Sequence, residues 1–379
     1  SRRPLRGRCR RGPRGIASGP AGRRALPRPT GTRGPARLAA LSIELLIAVF
    51  AAATAVVALC GVRMTELADR LADRTGLGEA IAGGMLLGMA TSLSGTVVSI
   101  TAAADGRASL AFANAIGGIA AQTAFLALAD LLYRKANLEH ASAELANLFQ
   151  TGILTLMLSL PLVAVTGPEV SILGVHPVSL LLPLLYVLGS RATRQVREAP
   201  MWRPVPTRET RTDRPEEART GTRGILSLLA GFAVMAALLT LAGWAISRTG
   251  GALSDRVGLS ETTVGALMTA VATSLPELVT TLAAVRRGAV QLAVGGIIGG
   301  NTFDVLFLTL SDIAYREGSL YHAVGAGDLF WLAMGLAMSS VLMLGLLIRE
   351  RRGPAGIGVE STALLLLYLA AVAVQSGRG

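Results

Sequence analysis

The sequence predicts an all-α polytopic membrane protein with about ten transmembrane helices, arranged as two inverted five-helix repeats. Of its 379 residues, 51% are hydrophobic and only 16% are charged, and the mean hydropathy is +0.54. Apolar runs of about 20 residues, the length a helix needs to cross a bilayer, recur along the chain. A soluble domain of this size could not bury so much apolar surface in one core.

Apolar stretches bounded by charged residues, glycine or proline define ten candidate spans. These spans cover residues 38–62, 78–104, 108–133, 145–165, 170–190, 224–247, 261–285, 289–315, 326–348 and 357–376. The chain then divides into four parts. They are a tail at 1–37, a first five-helix repeat at 38–190, a loop at 191–223 and a second five-helix repeat at 224–379.

An internal repeat at a fixed offset of 182 residues predicts the inverted arrangement. Asp73 matches Asp255, and the register continues without a gap to Tyr133 and Tyr315. Roughly two positions in five are identical over this stretch, which marks a true repeat. Five spans separate the copies, and an odd number reverses the direction of a repeat across the membrane. Inverted repeats are typical of secondary transporters, whose binding site lies near the midplane where the repeats meet.

Charged residues outside the spans predict the orientation. The loop at 191–223 carries nine arginines and no lysine, so the positive-inside rule makes it cytoplasmic, in a plasma (inner) membrane. Residues 1–37 contain twelve arginines and no acid. We expect this Arg/Gly/Pro-rich tail to be disordered and the annotated start to lie too far upstream.

The sequence places a glutamate inside the seventh span. Glu277 follows Pro276 in the motif T-S-L-P-E, and a charge at membrane depth costs a few kcal/mol or more. Proline removes a backbone donor and frees a carbonyl in the preceding turn. Together with the hydroxyls of Thr273 and Ser274, this arrangement favours an oxygen-lined cation site. The alternative is a proline kink whose glutamate hydrogen-bonds to a neighbouring helix.

A second acid lies inside the eighth span. Asp304 ends the motif G-G-N-T-F-D, and Asn301 precedes it by three residues, so both side chains can face one way on a helix. The glycines before them allow close helix packing. We expect Asp304 and Asn301 to contribute to the same cation site.

The remaining acids are expected to play structural roles. Asp130 and Asp312 precede Arg134 and Arg316 by four residues near span ends, which predicts i,i+4 ion pairs. Glu44, in the first span, stays open as a further ligand. The sequence has no P-loop, nucleophile elbow or zinc-ligand spacing, so we expect neither an enzyme nor a bound cofactor.

The motifs of spans seven and eight resemble the α-repeat of the sodium/calcium exchanger family, the calcium:cation antiporters. The resemblance covers about residues 40–376. It implies a ten-helix antiporter fold in which the glutamate of each T-S-L-P-E and the acid or amide ending each G-S-N-x-x-[N/D] surround the ion. Threonine and serine hydroxyls and backbone carbonyls complete the shell. Carried over to this chain, the cation-binding positions are Glu277, Asp304, Asn301, Thr273, Ser274, Thr91, Ser92 and Gln122.

The first repeat departs from the family pattern. Gly95 stands where the glutamate would be, Ser94 where the proline would be and Ile119 where the asparagine would be. The serine of G-S-N is replaced by Gly118 and Gly300. The metal ligands with charge are therefore Glu277 and Asp304 alone, and the missing hydroxyls disfavour several separate Na⁺ sites.

The predicted function is secondary-active cation antiport, with Ca²⁺ or another cation exchanged for H⁺ or Na⁺ by alternating access. Two carboxylates neutralise one Ca²⁺, or one monovalent ion and a proton. The alternatives are a monovalent Na⁺/K⁺:H⁺ exchanger and a degenerate, non-transporting scaffold of the same fold. The expected partners are membrane lipid and the transported cations, without nucleic acid, and homo-oligomerisation stays open.

Overall fold

The computed structural model describes residues 41–75, 90–210, 224–353 and 356–377, which form helices joined by loops and contain no β-strand. The tail at 1–37 and the first half of the span predicted at 78–104 lie outside these ranges. In chain order the first seven helices are α1 (Ile43–Thr75), α2 (Leu93–Ala104), α3 (Ala108–Leu132), α4 (Leu138–Ala141), α5 (Leu145–Thr166), α6 (Pro177–Glu198) and α7 (Ile225–Val257). They are followed by α8 (Glu261–Thr273), α9 (Leu275–Arg287), α10 (Val290–Asp304), α11 (Leu306–Ala314), α12 (Ala326–Ile348) and α13 (Val359–Ser376).

The helices confirm an all-α polytopic membrane protein. Within the described residues, seven spans are long and apolar enough to cross a membrane, and an eighth forms if the bent pair α8–α9 is one span. Four boundaries differ from the prediction by seven residues or more. Helix α6 starts seven residues after 170 and runs to Glu198, inside the loop expected at 191–223. Helix α1 continues thirteen residues beyond 62, and α7 continues ten residues beyond 247. The C-terminal extensions of α6 and α1 consist mostly of Arg, Ala, Leu, Glu and Gln, strong helix formers that polarity alone does not stop.

Helix boundaries repeat at the offset seen in the sequence. Helices α1 and α7 are each 33 residues long, and their first and last residues are both separated by 182 positions. The starts of α2 and α9, of α3 and α10, and of α6 and α13 have the same separation. The repeat therefore extends from α1 to α13 and is not confined to the stretch where residue identity is high.

Asp130 and Asp312 anchor equivalent corners of the two repeats. Asp130 accepts hydrogen bonds from Leu138 N at 2.7 Å and Gly358 N at 2.9 Å. Asp312 accepts them from Leu320 N at 3.0 Å and from the N–H of His176 at 2.7 Å.

All three pairs of equivalent residues in these bonds are 182 positions apart. Both carboxylates are buried, so the expected surface ion pairs with Arg134 and Arg316 are wrong. Each carboxylate instead joins three chain segments by satisfying backbone donors that would otherwise be buried without partners.

Helix α3 forms the centre of the bundle, and α1 and α7 form its outer pair. In α3, 83% of the membrane-spanning window is buried inside the protein, against 22% for α1 and 17% for α7. Helices α1 and α7 pack along each other. A helix that is apolar on every side, such as α3, belongs inside a bundle, whereas an apolar helix with little burial in the protein faces lipid.

Glycines let the outer pair approach the helix breaks of the two repeats. A Cβ at Gly61 would lie 2.3 Å from Pro276 Cγ, and a Cβ at Gly243 would lie 2.7 Å from the backbone oxygen of Ser94. Gly61 and Gly243 are repeat equivalents, as are Ser94 and Pro276. Each outer helix therefore touches the same turn of the opposite repeat through a glycine that no larger residue can replace without movement.

Gly243→Ala should destabilise the protein by about 1–3 kcal/mol, because its Cβ would meet rigid backbone at Ser94. The matched control is Gly231→Ala on the same helix, whose Cβ would lie at an ordinary 3.4 Å from Leu67 and which should gain up to about 1 kcal/mol from helix propensity. Thermal unfolding of the two purified variants in detergent tests the difference. Equal melting temperatures would show that the α7–Ser94 contact is not tight.

Candidate functional site

A broken helix carries the first acidic residue of the site. Helices α8 and α9 meet at Ser274 with a bend of 45°, and residues Val264–Thr269 of α8 form a π-helical turn. Pro276 is the second residue of α9 and has no N–H to donate to the carbonyl of Ala272. The break therefore exposes backbone oxygen beside Glu277, in the first turn of α9.

The eighth span carries the second acid. Asp304 is the last residue of α10, and Val305, which keeps helical backbone angles, separates it from α11, so α10 and α11 form one span, Val290–Ala314. The equivalent helix of the first repeat is α3, from Ala108 to Leu132. The two repeats thus share the position of this span.

Both acids line one cleft at the centre of the bundle. Its lining residues are Ser92, Gly95, Asn114, Gly118, Gln122, Thr273, Ser274, Glu277, Asp304 and Phe307. Glu277 and Asp304 are 5% and 2% exposed, and they lie close enough to interact electrostatically. Neither forms an ion pair with a described arginine, lysine or histidine. Two adjacent buried carboxylates without a counter-charge are stable only with protons or a cation.

The cleft lies where the two repeats meet. Gln122 Nε2 donates to Asp304 Oδ2 at 2.7 Å and to Ser274 Oγ at 3.2 Å. Gln122 and Asp304 are repeat equivalents, 182 residues apart. Residues related by a twofold axis can touch each other only near that axis, so this hydrogen bond places the cleft on the pseudo-twofold axis of the protein.

Several oxygen atoms at the cleft have no hydrogen-bond partner among the described residues. They are Glu277 Oε2, Asp304 Oδ1, Gln122 Oε1 and Ser92 Oγ. All are buried, and buried polar atoms are normally satisfied, so a group of orphaned oxygens indicates a missing ligand. Carboxylate, amide and hydroxyl oxygens are the donors that hard cations prefer. No described group of three or more His, Cys, Asp or Glu residues is arranged to hold a metal, so the two carboxylates act with neutral oxygens.

Two predicted ligands lie beside the cleft and not in its lining. Thr91 is buried and interacts with the Glu277 carboxylate. Asn301 is fully buried, and its Nδ2 donates to Thr123 Oγ1 at 2.9 Å. Thr273 lines the cleft, but its hydroxyl donates to the Thr269 backbone oxygen at 2.9 Å. Both of these donor groups are therefore used in hydrogen bonds within the protein, so Asn301 and Thr273 support the structure around the cleft.

The space left by Gly95 is filled by an aromatic ring. A Cβ at Gly95 would lie 2.8 Å from Phe307 Cε2 and 3.5 Å from Thr273 Oγ1. Glu44 does not take over the role of the absent glutamate, because it is exposed at the start of α1 and away from the cleft. An aromatic ring, and no carboxylate, therefore lies beside Gly95 in the lining of the cleft.

Two lining residues, Phe307 and Asn114, lie outside the set predicted from the sequence. Phe307 is repeated at the 182-residue offset as Phe125, which is the one sequence signal that marks it. Asn114 Nδ2 donates to the Gly95 backbone oxygen at 3.1 Å, and its Oδ1 accepts from Thr269 Oγ1 at 2.7 Å. No local motif marks Asn114, because its partners are distant in sequence.

Comparison with known proteins points to one family. A family model described as "Sodium/calcium exchanger protein" matches residues 45–189 and 227–377. The inner membrane protein YrbG of Escherichia coli (strain K12) is 33% identical over 124 residues, which are 31% of this chain and 35% of YrbG. The match thus spans about a third of the length of that relative.

Solved structures share the fold. The sodium-calcium exchanger NCX_Mj superposes with a TM-score of 0.57 at 17% identity, covering 88% of this chain and 99% of the other. The H⁺/Ca²⁺ exchanger CAX superposes with a TM-score of 0.63 at 15% identity, covering 88% and 85%. At these identities the likeness establishes the fold alone, that of a polytopic helical membrane protein.

Gly95→Glu alone should destabilise the protein by about 1–3 kcal/mol, because the new side chain collides with the Phe307 ring. Combined with Phe307→Ala, it should place a carboxylate opposite Glu277 and tighten Ca²⁺ binding. Ca²⁺-dependent thermal stabilisation in detergent compares the double variant with Phe307→Ala alone. If both bind Ca²⁺ equally, position 95 does not face the ion.

Proposed function

The chain belongs to the sodium/calcium exchanger family, and we propose that it exchanges Ca²⁺ for protons by alternating access at the Glu277–Asp304 cleft. Its family is one of exchangers, so the chain is an integral membrane transporter and not an enzyme. The exchanged ions, the Glu277–Asp304 site and alternating access are what we propose.

The orphaned oxygens of the cleft carry this proposal. Glu277 Oε2, Asp304 Oδ1, Gln122 Oε1 and Ser92 Oγ belong to both repeats and surround one space. Their two negative charges balance one Ca²⁺, and oxygen donors with a broken helix suit a divalent cation. The Phe307 ring beside Gly95 offers no further charged ligand.

Competition for the same carboxylates supplies the coupling. Burial favours a proton on Glu277 and Asp304 when no cation is bound. A bound Ca²⁺ requires both carboxylates ionised, so cation entry expels protons and proton entry expels the cation. Exchange then needs no separate proton site.

The outer helix pair is suited to open the cleft alternately. Helices α1 and α7 are the least buried of the long spans, and they contact Pro276 and Ser94, at the starts of α9 and α2, through Gly61 and Gly243. Lateral movement of this pair past a fixed core would uncover the cleft from one side and then the other. The core residues that bind the ion would keep their positions.

A monovalent exchanger is the second candidate, and Phe307 is the observation that favours it. A ring in place of a carboxylate lowers the negative charge around the ion, which suits one Na⁺ or K⁺ together with one proton. The two candidates share the site and differ in the ion.

The arginines of the loops predict which side of the membrane each loop faces. We place the protein in the plasma (inner) membrane, with the segment 191–223 in the cytoplasm, because that segment carries the largest number of arginines of any loop. Lipid and the transported cations are its expected partners, and homo-oligomerisation stays an open expectation.

Glu277→Gln should abolish Ca²⁺ uptake into proteoliposomes under an imposed pH gradient, because it removes one of the two charges that balance the ion. Glu317→Gln, which changes an exposed acid outside the cleft, should transport like wild type. A folded Glu277→Gln protein with unchanged flux would overturn the site assignment. A wild-type protein inactive with every cation would favour the non-transporting scaffold.

Lowering the pH should weaken Ca²⁺ binding to wild type competitively, since protons and Ca²⁺ occupy the same carboxylates. The measurement is the Ca²⁺ concentration that half-stabilises the protein against heat at several pH values, with Na⁺ and K⁺ as competitors. Ca²⁺ should be displaced by protons and not by millimolar Na⁺ or K⁺. Displacement by Na⁺ or K⁺ at these concentrations would establish the monovalent exchanger instead.

A further inference from the structure

The corners built on Asp130 and Asp312 have the same backbone but different side chains. At the Asp312 corner, Ser179 Oγ donates to Asp312 Oδ2 at 2.8 Å and lies 2.9 Å from the Tyr321 hydroxyl. The equivalents of Ser179 and Tyr321 at the other corner are Ser361 and Glu139. An acid therefore replaces a tyrosine at a position that is fully buried in both repeats.

A second acid joins Glu139 at the Asp130 corner. Glu360, in the first turn of α13, is 8% exposed, and Glu139 is 0% exposed. The two side chains interact directly. The equivalent of Glu360 in the first repeat is Val178. The Asp312 corner therefore has no counterpart of this acidic pair.

Part of the acidic pair lacks any partner. Ser361 Oγ donates to Glu139 Oε1 at 3.3 Å, but Glu139 Oε2 and Glu360 Oε1 have no hydrogen-bond partner among the described residues. Asp130 is a further buried carboxylate close to the pair, and both of its oxygens accept backbone N–H groups, so it offers the pair no donor. Two unpartnered carboxylate oxygens in one buried place need a proton or a cation to balance their charge.

Nearby arginines do not supply that charge. Arg349 Nη1 donates to the Val205 backbone oxygen at 3.0 Å, and Arg351 pairs with Glu209. No described ion pair includes Glu139 or Glu360. The contact of Arg349 with Val205 also locates this corner at the end of the protein that carries the predicted cytoplasmic segment.

Two glycines make room for the Glu360 carboxylate. A Cβ at Gly345 would lie 2.6 Å from Glu360 Cγ, and a Cβ at Gly358 would lie 2.9 Å from Glu360 Oε1. Their repeat equivalents are Val163 and His176. The space for the second carboxylate therefore exists at one corner only.

We propose that Glu139 and Glu360 form a second cation-binding site, distinct from the transport cleft, that takes a divalent cation at the predicted cytoplasmic end of the protein. The two carboxylates balance the charge of the ion, and the Ser361 hydroxyl and nearby backbone carbonyls complete an oxygen shell. The site lies between α4, at the end of α3, and the start of α13, so a bound ion links the two repeats.

The test uses purified protein in which the transport cleft is disabled by Glu277→Gln and Asp304→Asn. Calorimetric titration with Ca²⁺ should still detect one saturable binding event, and adding Glu360→Gln should remove it. Adding Glu198→Gln, which changes an exposed acid at the same end, should leave it intact. Because the cleft is already disabled, the result is independent of whether the protein transports Ca²⁺.

A second variant guards against misfolding. Glu139→Tyr combined with Glu360→Val copies the Asp312 corner, so it should fold, keep its melting temperature when Ca²⁺ is added and bind no Ca²⁺ in the disabled background. Absence of Ca²⁺ binding in that background before either change overturns the proposal. So does binding that survives Glu360→Gln, or a melting temperature that responds to pH and not to Ca²⁺, which would mean that the pair holds only a proton.

Discussion

The hydrogen bond from Gln122 to Asp304 depends on the inverted repeat, and so does the rest of the structure. Two segments 182 residues apart run in opposite directions through the membrane and meet at their equivalent residues. An inverted repeat has its pseudo-twofold axis in the membrane plane, so it brings a residue against its own counterpart near the bilayer midplane. The helix boundaries, the paired corners at Asp130 and Asp312 and the glycine contacts of α1 and α7 all follow the same symmetry.

Departures from that symmetry carry the chemistry. At the axis, the first repeat has Gly95 in place of a glutamate, and the Phe307 ring fills the space beside it. The negative charge of the cleft therefore lies on the second repeat. At the predicted cytoplasmic corner, Glu139 and Glu360 replace the tyrosine and valine of the other corner. In both places the backbone is conserved between repeats while the electrostatics differ. A backbone that is the same in both repeats, with unequal charge on them, can interact differently with ions on the two sides of the membrane.

Burial costs explain why these positions are informative. A carboxylate at membrane depth is retained only with a proton, a cation or a dense set of donors. Asp130 and Asp312 are satisfied by backbone N–H groups and are therefore structural. Glu277, Asp304, Glu139 and Glu360 each keep at least one oxygen without a partner. The same residue type thus divides into two roles according to its hydrogen bonds, which no spacing in the sequence reveals.

The sequence by itself determined the fold class, the offset of the repeat and the two acids of the cleft. These follow from hydropathy, self-similarity and the cost of charge in a bilayer, all of which are local or periodic properties. Only the tertiary structure decided that Phe307 fills the place at Gly95, that Glu44 lies elsewhere and that Asp130 binds backbone and not Arg134. The tertiary structure also decided that Asn301 donates to Thr123 and that Glu139 lies next to Glu360. Such contacts join residues far apart in the chain, and packing between helices sets them independently of any spacing along it.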